Sequence, residues 1–302
     1  MQVRFGIMAD AHIEFMHDGA ERIRAFLDAC LEEKCDFFVD LGDFLPPGEM
    51  NAEEKEKILR MLREFPLPRY HVLGNHDTDD NEKADVLSYL SAQDGARSFD
   101  VGGVHFILLD ACFFRENGKE VAYANGNYKH TEGTLPILPK EELEFLKADL
   151  AAAKHPTVLF SHQSLIESRT GIQNPEDFRS AIADAPSGVL LSVCGHEHVD
   201  RLEKKDGTYY LCLNSMSYYW AGERYDHETY GQAIEEKHPL LRMVFPYRDP
   251  LFAIIEITDA AITVKGRNSK IVGKSPEDLD FKKKGLSDRI TASIESRSLP
   301  LS

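Results

Sequence analysis

The sequence predicts an α/β fold, and two features of the chain lead to that prediction. Between residues 3 and 194, strand-like apolar runs alternate with stretches of helical periodicity, which is the pattern of successive βαβ units. Beyond residue 194 the alternation stops, and short apolar runs flank tight-turn dipeptides instead. We therefore expect parallel strands connected by helices, extended towards the C-terminus by antiparallel hairpins.

The first third of the chain contains strand-like runs at 3–9, 36–41 and 69–73, separated by helical stretches at 19–34 and 52–65. In the first helical stretch, apolar residues recur at spacings of three and four, which predicts one buried helix face. These residues are Ile23, Phe26, Leu27, Cys30 and Leu31. We assign the stripe to the hydrophobic core rather than to a cofactor site.

The middle of the chain begins with a predicted antiparallel strand pair. A short strand near Phe99 and the apolar run 104–109 flank Gly102-Gly103, as in a hairpin. Residues 115–139 are polar, rich in glycine, asparagine and tyrosine, and without a sustained period. They are predicted to form one long loop, and such loops are usually functional or disordered. The alternation then resumes, with helices at 140–153 and 175–183 and strands at 157–160 and 188–194.

The C-terminal region is expected to contain hairpins, an irregular segment and a tail. Asp206-Gly207 and Asp259 each lie between two short apolar runs, which predicts two hairpins. Residues 215–247 between them are aromatic and irregular. The polar stretch 268–302 is predicted to be a tail that packs on the surface, on another copy in a homo-oligomer, or nowhere. We therefore expect one domain, residues 1–267, followed by a tail with no independent fold.

Composition and charge limit the classes of function. The chain has 302 residues, 42% of them apolar, and a formal net charge of −16. That charge would repel a nucleic-acid backbone, so a nucleic-acid polymer is disfavoured as a partner and a small soluble substrate is favoured. The five cysteines lack Cys-x-x-Cys spacing, so we interpret them as reduced thiols. The sequence shows neither a signal-type N-terminus nor a run of about 18 apolar residues, which predicts no membrane association and a cytoplasmic location.

Five short polar segments each follow the end of a strand-like run. They contain aspartate, asparagine and histidine, which are costly to gather in one place unless a cation offsets their desolvation and repulsion. In open α/β sheets, ligands bind beyond the carboxyl ends of the strands, so these segments are expected to converge. In chain order they are Asp10-Ala11-His12, Gly42-Asp43, Gly74-Asn75-His76-Asp77, Ser161-His162 and Gly195-His196-Glu197-His198.

The side-chain types in these segments favour a site for two transition-metal ions. Imidazole and carboxylate together suit manganese, iron or zinc better than calcium or magnesium, which prefer oxygen ligands. In Asp10-x-His12 and His196-x-His198, the spacing of two turns both side chains to the same side of an extended chain. Asp43 is the candidate to bridge two ions, which could then share a hydroxide and clamp a phosphoryl group during in-line displacement.

The order and composition of the five segments resemble those of the calcineurin-like metallophosphoesterase family, over residues 3 to about 265. The resemblance implies a four-layer αββα sandwich of two mixed sheets flanked by helices, and hydrolysis of a phosphoester. It implies that His76 faces the leaving group as an acid or charge stabiliser, and that Asp77 orients His76. It also implies two ligand sets, namely Asp10, His12, Asp43 and His198 for one ion, and Asp43, Asn75, His162 and His196 for the other.

Two departures from the family pattern leave the subfamily open. Members often carry another acidic or amide residue shortly after Gly-Asp, whereas Gly42-Asp43 continues into Phe44-Leu45-Pro46-Pro47. Ser161-His162 is likewise followed by Gln163-Ser164 rather than by proline. The chain length and the intact Asp10-x-His12 most resemble those of bacterial cyclic-nucleotide phosphodiesterases. A small phosphodiester is therefore the favoured substrate.

Several residues outside the five segments are candidates for substrate contact. Asn127, Tyr128 and His130 lie in the predicted loop, although a polar loop without a function would have the same composition. Arg169 could pair with a phosphate, and Trp220 could stack on a base. Ordinary packing of an irregular segment is the alternative for both.

Alternatives to a phosphodiesterase remain. A phosphomonoesterase or a nucleotide diphosphatase would use the same ligands. A protein-binding scaffold of the same fold need not keep the metal ligands, and this chain keeps the full set. A nuclease is disfavoured by the acidic charge and the absence of a basic stripe. We therefore expect a metal-dependent phosphoric ester hydrolase that acts on a small phosphorylated compound.

Overall fold

The computed structural model describes residues 1–44, 52–92, 95–129, 135–281 and 290–301, and its strands and helices lie within these ranges. The strands are β1 (Gln2–Met8), β2 (Phe37–Asp40), β3 (Arg69–His71), β4 (Arg97–Val101), β5 (Val104–Leu108), β6 (Phe113–Glu116), β7 (Lys119–Ala122), β8 (Thr157–Phe160), β9 (Val189–Cys194), β10 (Arg201–Lys205), β11 (Thr208–Cys212), β12 (Tyr218–Trp220), β13 (Val244–Pro246), β14 (Ala253–Thr258), β15 (Ala261–Lys265) and β16 (Arg297–Pro300). The α-helices are α1 (Gly19–Glu32), α2 (Ala52–Glu64), α3 (Lys83–Leu90), α4 (Lys140–Ala152), α5 (Pro175–Ala183) and α6 (Gln232–Glu235). Short 3₁₀ turns cover His76–Thr78, Asn127–Lys129, Glu223–Tyr225 and Pro239–Met243. None of the described helices is long and apolar enough to cross a membrane.

The first sheet combines parallel and antiparallel strands in the order β16–β15–β14–β1–β2–β3. Strands β1, β2 and β3 run parallel, because a helical crossover returns the chain to the same end of the sheet after each strand. Strands β14, β15 and β16 extend the other side in antiparallel register. The carboxyl ends of β1, β2 and β3 therefore lie together at one end of this sheet.

The second sheet has the order β10–β11–β9–β8–β5–β4 and is also mixed. Its central strands β5, β8, β9 and β11 are parallel, and β4 and β10 close its edges through antiparallel hairpins. Both hairpin turns use residues with positive φ, at Gly102-Gly103 and at Asp206-Gly207, as two-residue hairpin turns require. These two hairpins, and the pairing of β14 with β15, confirm the predictions from the turn dipeptides.

Aromatic rings fill the space between the two sheets. Phe5 and Phe37 of the first sheet stack with ring centroids 5.0 Å apart. Phe5 also meets Phe106 and Phe160 of the second sheet edge-on, at 5.6 and 5.7 Å. All of these rings are buried, and burial of each contributes roughly 1.5–3 kcal/mol to folding. This packing fixes the carboxyl ends of one sheet relative to those of the other.

Helices cover the outer faces of both sheets. On the first sheet, Phe26 of α1 and Ile58 of α2 pack in one cluster with Phe38 of β2. On the second sheet, Leu146 of α4 and Phe178 of α5 belong to the cluster that covers β5 and β8. Helix, sheet, sheet and helix form four layers, which confirms the αββα sandwich implied by the resemblance.

Two regions that we expected to be irregular contain paired strands. Within residues 115–139, β7 pairs with β6 in an antiparallel hairpin, and its turn residues Asn117 and Gly118 both have positive φ. Asn-Gly is a strong hairpin signal, so the prediction of one long loop is wrong. Within residues 215–247, β12 pairs with β13. Both ribbons lie outside the two main sheets.

The C-terminal stretch 268–302 contributes a strand to the first sheet. Strand β16 pairs with β15, and its Leu299 is buried in the core between the sheets. The guanidinium of Arg297 donates to both carboxylate oxygens of Asp200, at 2.8 and 2.7 Å. Asp200 lies two residues after the last polar segment, so this part of the stretch packs against the domain close to that segment.

Candidate metal centre and active site

The five polar segments converge at the carboxyl ends of both sheets. They follow β1, β2 and β3 in the first sheet and β8 and β9 in the second. Several of their residues have a left-handed backbone, which costs a non-glycine residue about 1 kcal/mol or more. They are Asp10 (φ 49°), His12 (41°), Asp43 (53°), His196 (69°) and His198 (54°). The fold thus sustains backbone strain where these side chains meet, as functional sites commonly do.

The first donor group consists of Asp10, His12 and His198, whose ligand atoms lie within 4.8 Å of one another. Nε2 of His198 is 3.3 Å from Oδ1 of Asp10. Nδ1 of His198 donates to the backbone carbonyl of Tyr218 at 2.8 Å. Because a carbonyl can only accept, Nδ1 carries a proton, and the ring is oriented so that Nε2 faces the carboxylate. Metal-binding histidines are held in this way.

The second donor group consists of Asp43, His162 and His196, again with ligand atoms within 4.8 Å of one another. Nδ1 of His162 donates to the backbone carbonyl of Leu41 at 2.8 Å, so its Nε2 faces into the group. That Nε2 lies 3.2 Å from Oδ2 of Asp43 and 3.2 Å from Nδ1 of His196. It also lies 3.1 Å from Oδ1 of Asn75. Asn75 thus adds an oxygen donor to this group.

Asp43 lies between the two groups. Its Oδ2 is 3.7 Å from Nε2 of His12 in the first group and 3.2 Å from Nε2 of His162 in the second. Its Oδ1 accepts the backbone N–H of His76 at 2.7 Å. A Cβ at Gly74 would overlap that same oxygen, which explains why glycine precedes Asn75. One buried carboxylate therefore faces both groups.

The charge balance of the site fits bound cations. Burial opposes a charged imidazolium at His162, yet the carboxylates of Asp43 and Asp10 raise the pKa of His162 to about 10. Burial and the neighbouring His162 lower the pKa of His196 to about 4, so His196 is a neutral donor. The carboxylates therefore stabilise positive charge at the centre of the site. Bound divalent cations would supply that charge. Mixed imidazole and oxygen donors suit manganese, iron or zinc.

His76 faces the same space from the first 3₁₀ turn and is half-buried. Its Nδ1 is 2.8 Å from Oδ2 of Asp79 and 3.2 Å from the hydroxyl of Tyr128. That hydroxyl donates to Oδ1 of Asp79 and accepts from Nδ2 of Asn75 at 3.1 Å. The ammonium of Lys129 lies 2.7 Å from Asp79. One network therefore connects His76 to the Asn75 amide that faces the second donor group.

Asp79, not Asp77, is the carboxylate that holds the ring of His76, which corrects the prediction for Asp77. In a 3₁₀ turn, residue i+3 returns to the face of residue i, whereas residue i+1 points elsewhere. Asp79 lies three residues after His76 and therefore meets its ring. Asp79 is not among the residues predicted from the sequence, although the His-x-x-Asp spacing in a turn is a readable signal for it.

Asp77 holds the backbone of the loops that carry the donors. Its buried carboxylate accepts hydrogen bonds from the backbone N–H groups of Asp43 (3.0 Å), Phe44 (2.9 Å) and Gly74 (2.8 Å).

Replacing Asp77 with alanine is expected to lower the free energy of unfolding by roughly 3 kcal/mol or more, because three buried N–H groups lose their acceptor. Urea unfolding of the metal-free protein measures this change. A loss below about 1 kcal/mol would contradict this structural role.

A pocket of about 520 Å³ lies over both donor groups. Its floor includes His12, Asp43, His76, His196 and His198. Aromatic side chains of Phe15, Tyr218 and Trp220 form part of its wall, and the cations of Lys129 and Arg169 also line it. Pockets of this size accommodate small organic ligands.

The residues predicted to contact substrate are placed differently from one another. Arg169 and Trp220 line the pocket, and Trp220 is 45% exposed. Asn127 and Tyr128 are not among the described lining residues. The Asn127 amide is bonded to backbone groups of its own loop, and Tyr128 belongs to the His76 network. His130 lies outside the described residues.

Solved structures of other proteins share this fold. A dimetal phosphatase from Danio rerio is 16% identical, with 90% of this chain and 99% of that chain covered and a TM-score of 0.63. GAP50, described as the anchor in the inner membrane complex of Plasmodium, is 16% identical, with 92% and 90% covered and a TM-score of 0.55. At these identities the similarity concerns the fold. No curated protein matches the sequence.

The family comparison covers well over half of the chain. The calcineurin-like phosphoesterase family matches residues 3–200, a range that includes all five polar segments. Together with the sandwich of two mixed sheets and the two donor groups at their carboxyl ends, this match shows that the chain belongs to the calcineurin-like phosphoesterase family.

Proposed function

We propose that the protein is a phosphoesterase with two metal ions that hydrolyses a small phosphodiester or a related phosphorylated compound. The observation that carries this proposal is the position of Asp43, a buried carboxylate that faces both donor groups at the base of one pocket. We assign Asp10, His12, Asp43 and His198 to one ion, and Asp43, Asn75, His162 and His196 to the other. Manganese, iron and zinc fit these donors.

In this proposal, metal and protein contribute different parts of the reaction. The ions, when bound, activate water as a nucleophile and neutralise the phosphoryl oxygens. As the bond from water oxygen to phosphorus forms, the bond to the leaving oxygen breaks, and that oxygen takes a proton from His76. Burial disfavours the charged ring of His76, but Asp43 and Asp79 raise its pKa overall. His76 is thus kept ready to donate a proton.

The pocket walls support a preference for diesters over monoesters. A phosphodiester carries a second organic arm, and Phe15, Tyr218 and Trp220 offer an aromatic surface on which an arm can pack. Arg169 lines the same pocket and suits a phosphoryl oxygen. We therefore propose Arg169 and Trp220 as substrate-contacting residues.

We also propose that the protein works in the cytoplasm. The five free, buried cysteines support a reducing compartment of this kind.

With manganese, we expect hydrolysis of bis-p-nitrophenyl phosphate to exceed that of p-nitrophenyl phosphate by about tenfold in kcat/KM, which corresponds to roughly 1.4 kcal/mol. The reason is that only the diester has a second aromatic arm, which can pack against Trp220 while the other arm departs as the leaving group. Trp220→Ala should lower the diester rate towards the monoester rate and leave the monoester rate unchanged. Initial rates with both esters measure this preference.

Other substrate profiles would redirect the proposal. A faster monoester rate would indicate a phosphomonoesterase, and turnover confined to nucleotide diphosphates would indicate a diphosphatase on the same residues. Failure to hydrolyse any phosphoester with manganese, iron or zinc would favour a protein-binding scaffold. A panel of cyclic nucleotides, nucleotide diphosphates and sugar phosphates, assayed with each metal, distinguishes these outcomes.

A further inference from the structure

We propose that Glu14 is a positioning residue for His12. In this proposal the carboxyl group of Glu14 accepts a hydrogen bond from Nδ1–H of His12, so that Nε2 of His12 is presented to the donor group that His12 forms with Asp10 and His198. The inference rests on the two-metal centre proposed above. It assigns a task to a buried acid that none of the five polar segments contains.

Glu14 is a buried carboxyl group without a hydrogen-bond partner in the described part of the chain. Its side chain is 2% exposed, and neither Oε1 nor Oε2 is hydrogen bonded to another described residue. Burying an unpaired carboxyl group is among the most costly arrangements in a protein. A residue of this kind is retained in a fold more readily when it has a task in the functional state.

His12 has a ring nitrogen that lacks a hydrogen-bond acceptor. This atom, Nδ1, is buried and has no hydrogen-bond partner among the described residues. In His162 and His198 the corresponding nitrogen donates to a backbone carbonyl, that of Leu41 or of Tyr218. His12 lacks such a carbonyl, so a different acceptor must fix which of its nitrogens carries the proton.

The two unpartnered groups face each other. Nδ1 of His12 is 3.7 Å from Oε1 of Glu14, and an approach of about 0.8 Å would bring the pair to a normal hydrogen-bond distance. The ring of His12 is stacked on Phe15 and on Tyr218, with centroids 5.7 and 5.1 Å away. This stacking restrains the plane of the ring, so contacts at its edge decide where each nitrogen points.

The opposite edge of the same ring faces the metal centre. Nε2 of His12 is 3.7 Å from Oδ2 of Asp43, the carboxylate shared by both groups. A carboxylate on the outer nitrogen of a histidine ligand fixes the tautomer and raises the basicity of the inner nitrogen, and its loss typically weakens metal binding 10- to 100-fold. Glu14, His12 and the first donor group have the connectivity of such a carboxylate–histidine–metal arrangement.

Glu14→Met tests this role because methionine fills a similar volume without an acceptor. Titration with Mn²⁺ or Zn²⁺ against a chelating indicator gives the affinity of each site. We expect the affinity of one site to fall 10- to 100-fold and that of the other to stay within about twofold. The metal-free variant should melt at the same temperature as the wild type or higher, because an unpaired buried carboxyl group is removed. Glu14→Gln keeps an acceptor and should show a smaller loss of affinity.

The matched control is Glu32→Met, at an exposed position of α1, for which both affinities should equal those of the wild type. Unchanged affinity at both sites in Glu14→Met would overturn the inference. If the melting temperature fell at the same time, Glu14 would be a purely structural residue. If Glu14→Met does not fold, Glu14→Gln decides, and a loss below about twofold at both sites overturns the role. Wild-type protein that binds two ions without hydrolysing phosphoesters would defeat the proposed function but not this role of Glu14.

Discussion

Replacing Asp43 with alanine is expected to lower kcat/KM for bis-p-nitrophenyl phosphate by roughly 1000-fold, equivalent to about 4 kcal/mol of transition-state stabilisation. Asp43 is the carboxylate that faces His12 on one side and His162 on the other, so its loss would remove a ligand from both of the proposed metal ions. Bound metal should fall from two ions per chain to one or none. Initial rates and metal analysis of the same protein sample measure both effects.

Asp40→Asn is the matched control for Asp43→Ala. Asp40 is equally buried and lies three residues earlier, but its carboxylate contacts Nδ1 of His71 at 3.1 Å rather than a donor group. Its substitution should lower stability while two ions stay bound and most turnover is kept. Asp43→Ala protein that binds two ions and turns over within tenfold of the wild type would contradict the shared role of Asp43.

Replacing Asp79 with asparagine is expected to lower kcat by about 100-fold for a substrate with an alkyl leaving group. Asp79 contacts Nδ1 of His76 at 2.8 Å, and its negative charge would stabilise the protonated ring that, in the proposed mechanism, donates to the leaving oxygen. The loss should be much smaller with p-nitrophenolate, which leaves readily without a proton. Comparing kcat for an alkyl phosphodiester and for bis-p-nitrophenyl phosphate measures the dependence on leaving group.

Asp80→Asn is the control for Asp79→Asn, because Asp80 is the next residue along the chain and is exposed. It should behave like the wild type with both substrates. An equal loss in Asp79→Asn with both leaving groups would mean that Asp79 serves the structure of the loop rather than proton donation. An unchanged kcat for the alkyl ester would mean that Asp79 has no role in proton donation.

The sequence was sufficient to predict those parts of the site that follow directly from strand ends. Asp10, Asp43, Asn75, His162 and His196 each lie just after a strand, and the rule that parallel strands present their carboxyl ends together brings them to one place. The alternation of strands and helices likewise predicted the central parallel strands of both sheets. These features depend on short-range pattern and general topology, which a single sequence contains.

The partners of His76 and His12 depend instead on local backbone geometry that the pattern does not encode. Asp79 meets His76 because a 3₁₀ turn brings residue i+3 to the same face. The hydroxyl of Tyr128 contacts Asp79 and His76 from a turn that is distant in sequence. No periodicity in the sequence predicts how that turn packs. Glu14 lies two residues after His12, and the backbone at His12 is left-handed. The side chain of Glu14 faces Nδ1 of His12 in this conformation. Such contacts are set by tertiary packing around the site.

The edge elements also escaped prediction, for different reasons. The β6–β7 hairpin had a readable signal in Asn117-Gly118, which the polar composition of the surrounding residues obscured. Strand β16 offered almost none, since Leu299 is its one buried residue and its neighbours are polar or exposed. An edge strand needs only one apolar contact and a ladder of backbone hydrogen bonds. The polar composition of residues 268–302 therefore predicts a tail rather than a strand.

The most direct test of a two-metal centre is a manganese titration of metal-free protein in which bound metal and hydrolysis of bis-p-nitrophenyl phosphate are followed together. We expect the rate to rise with metal and to reach its plateau when two ions are bound per chain. Two bound ions without hydrolysis of any phosphoester, or full hydrolysis in the presence of excess chelator, would contradict this expectation.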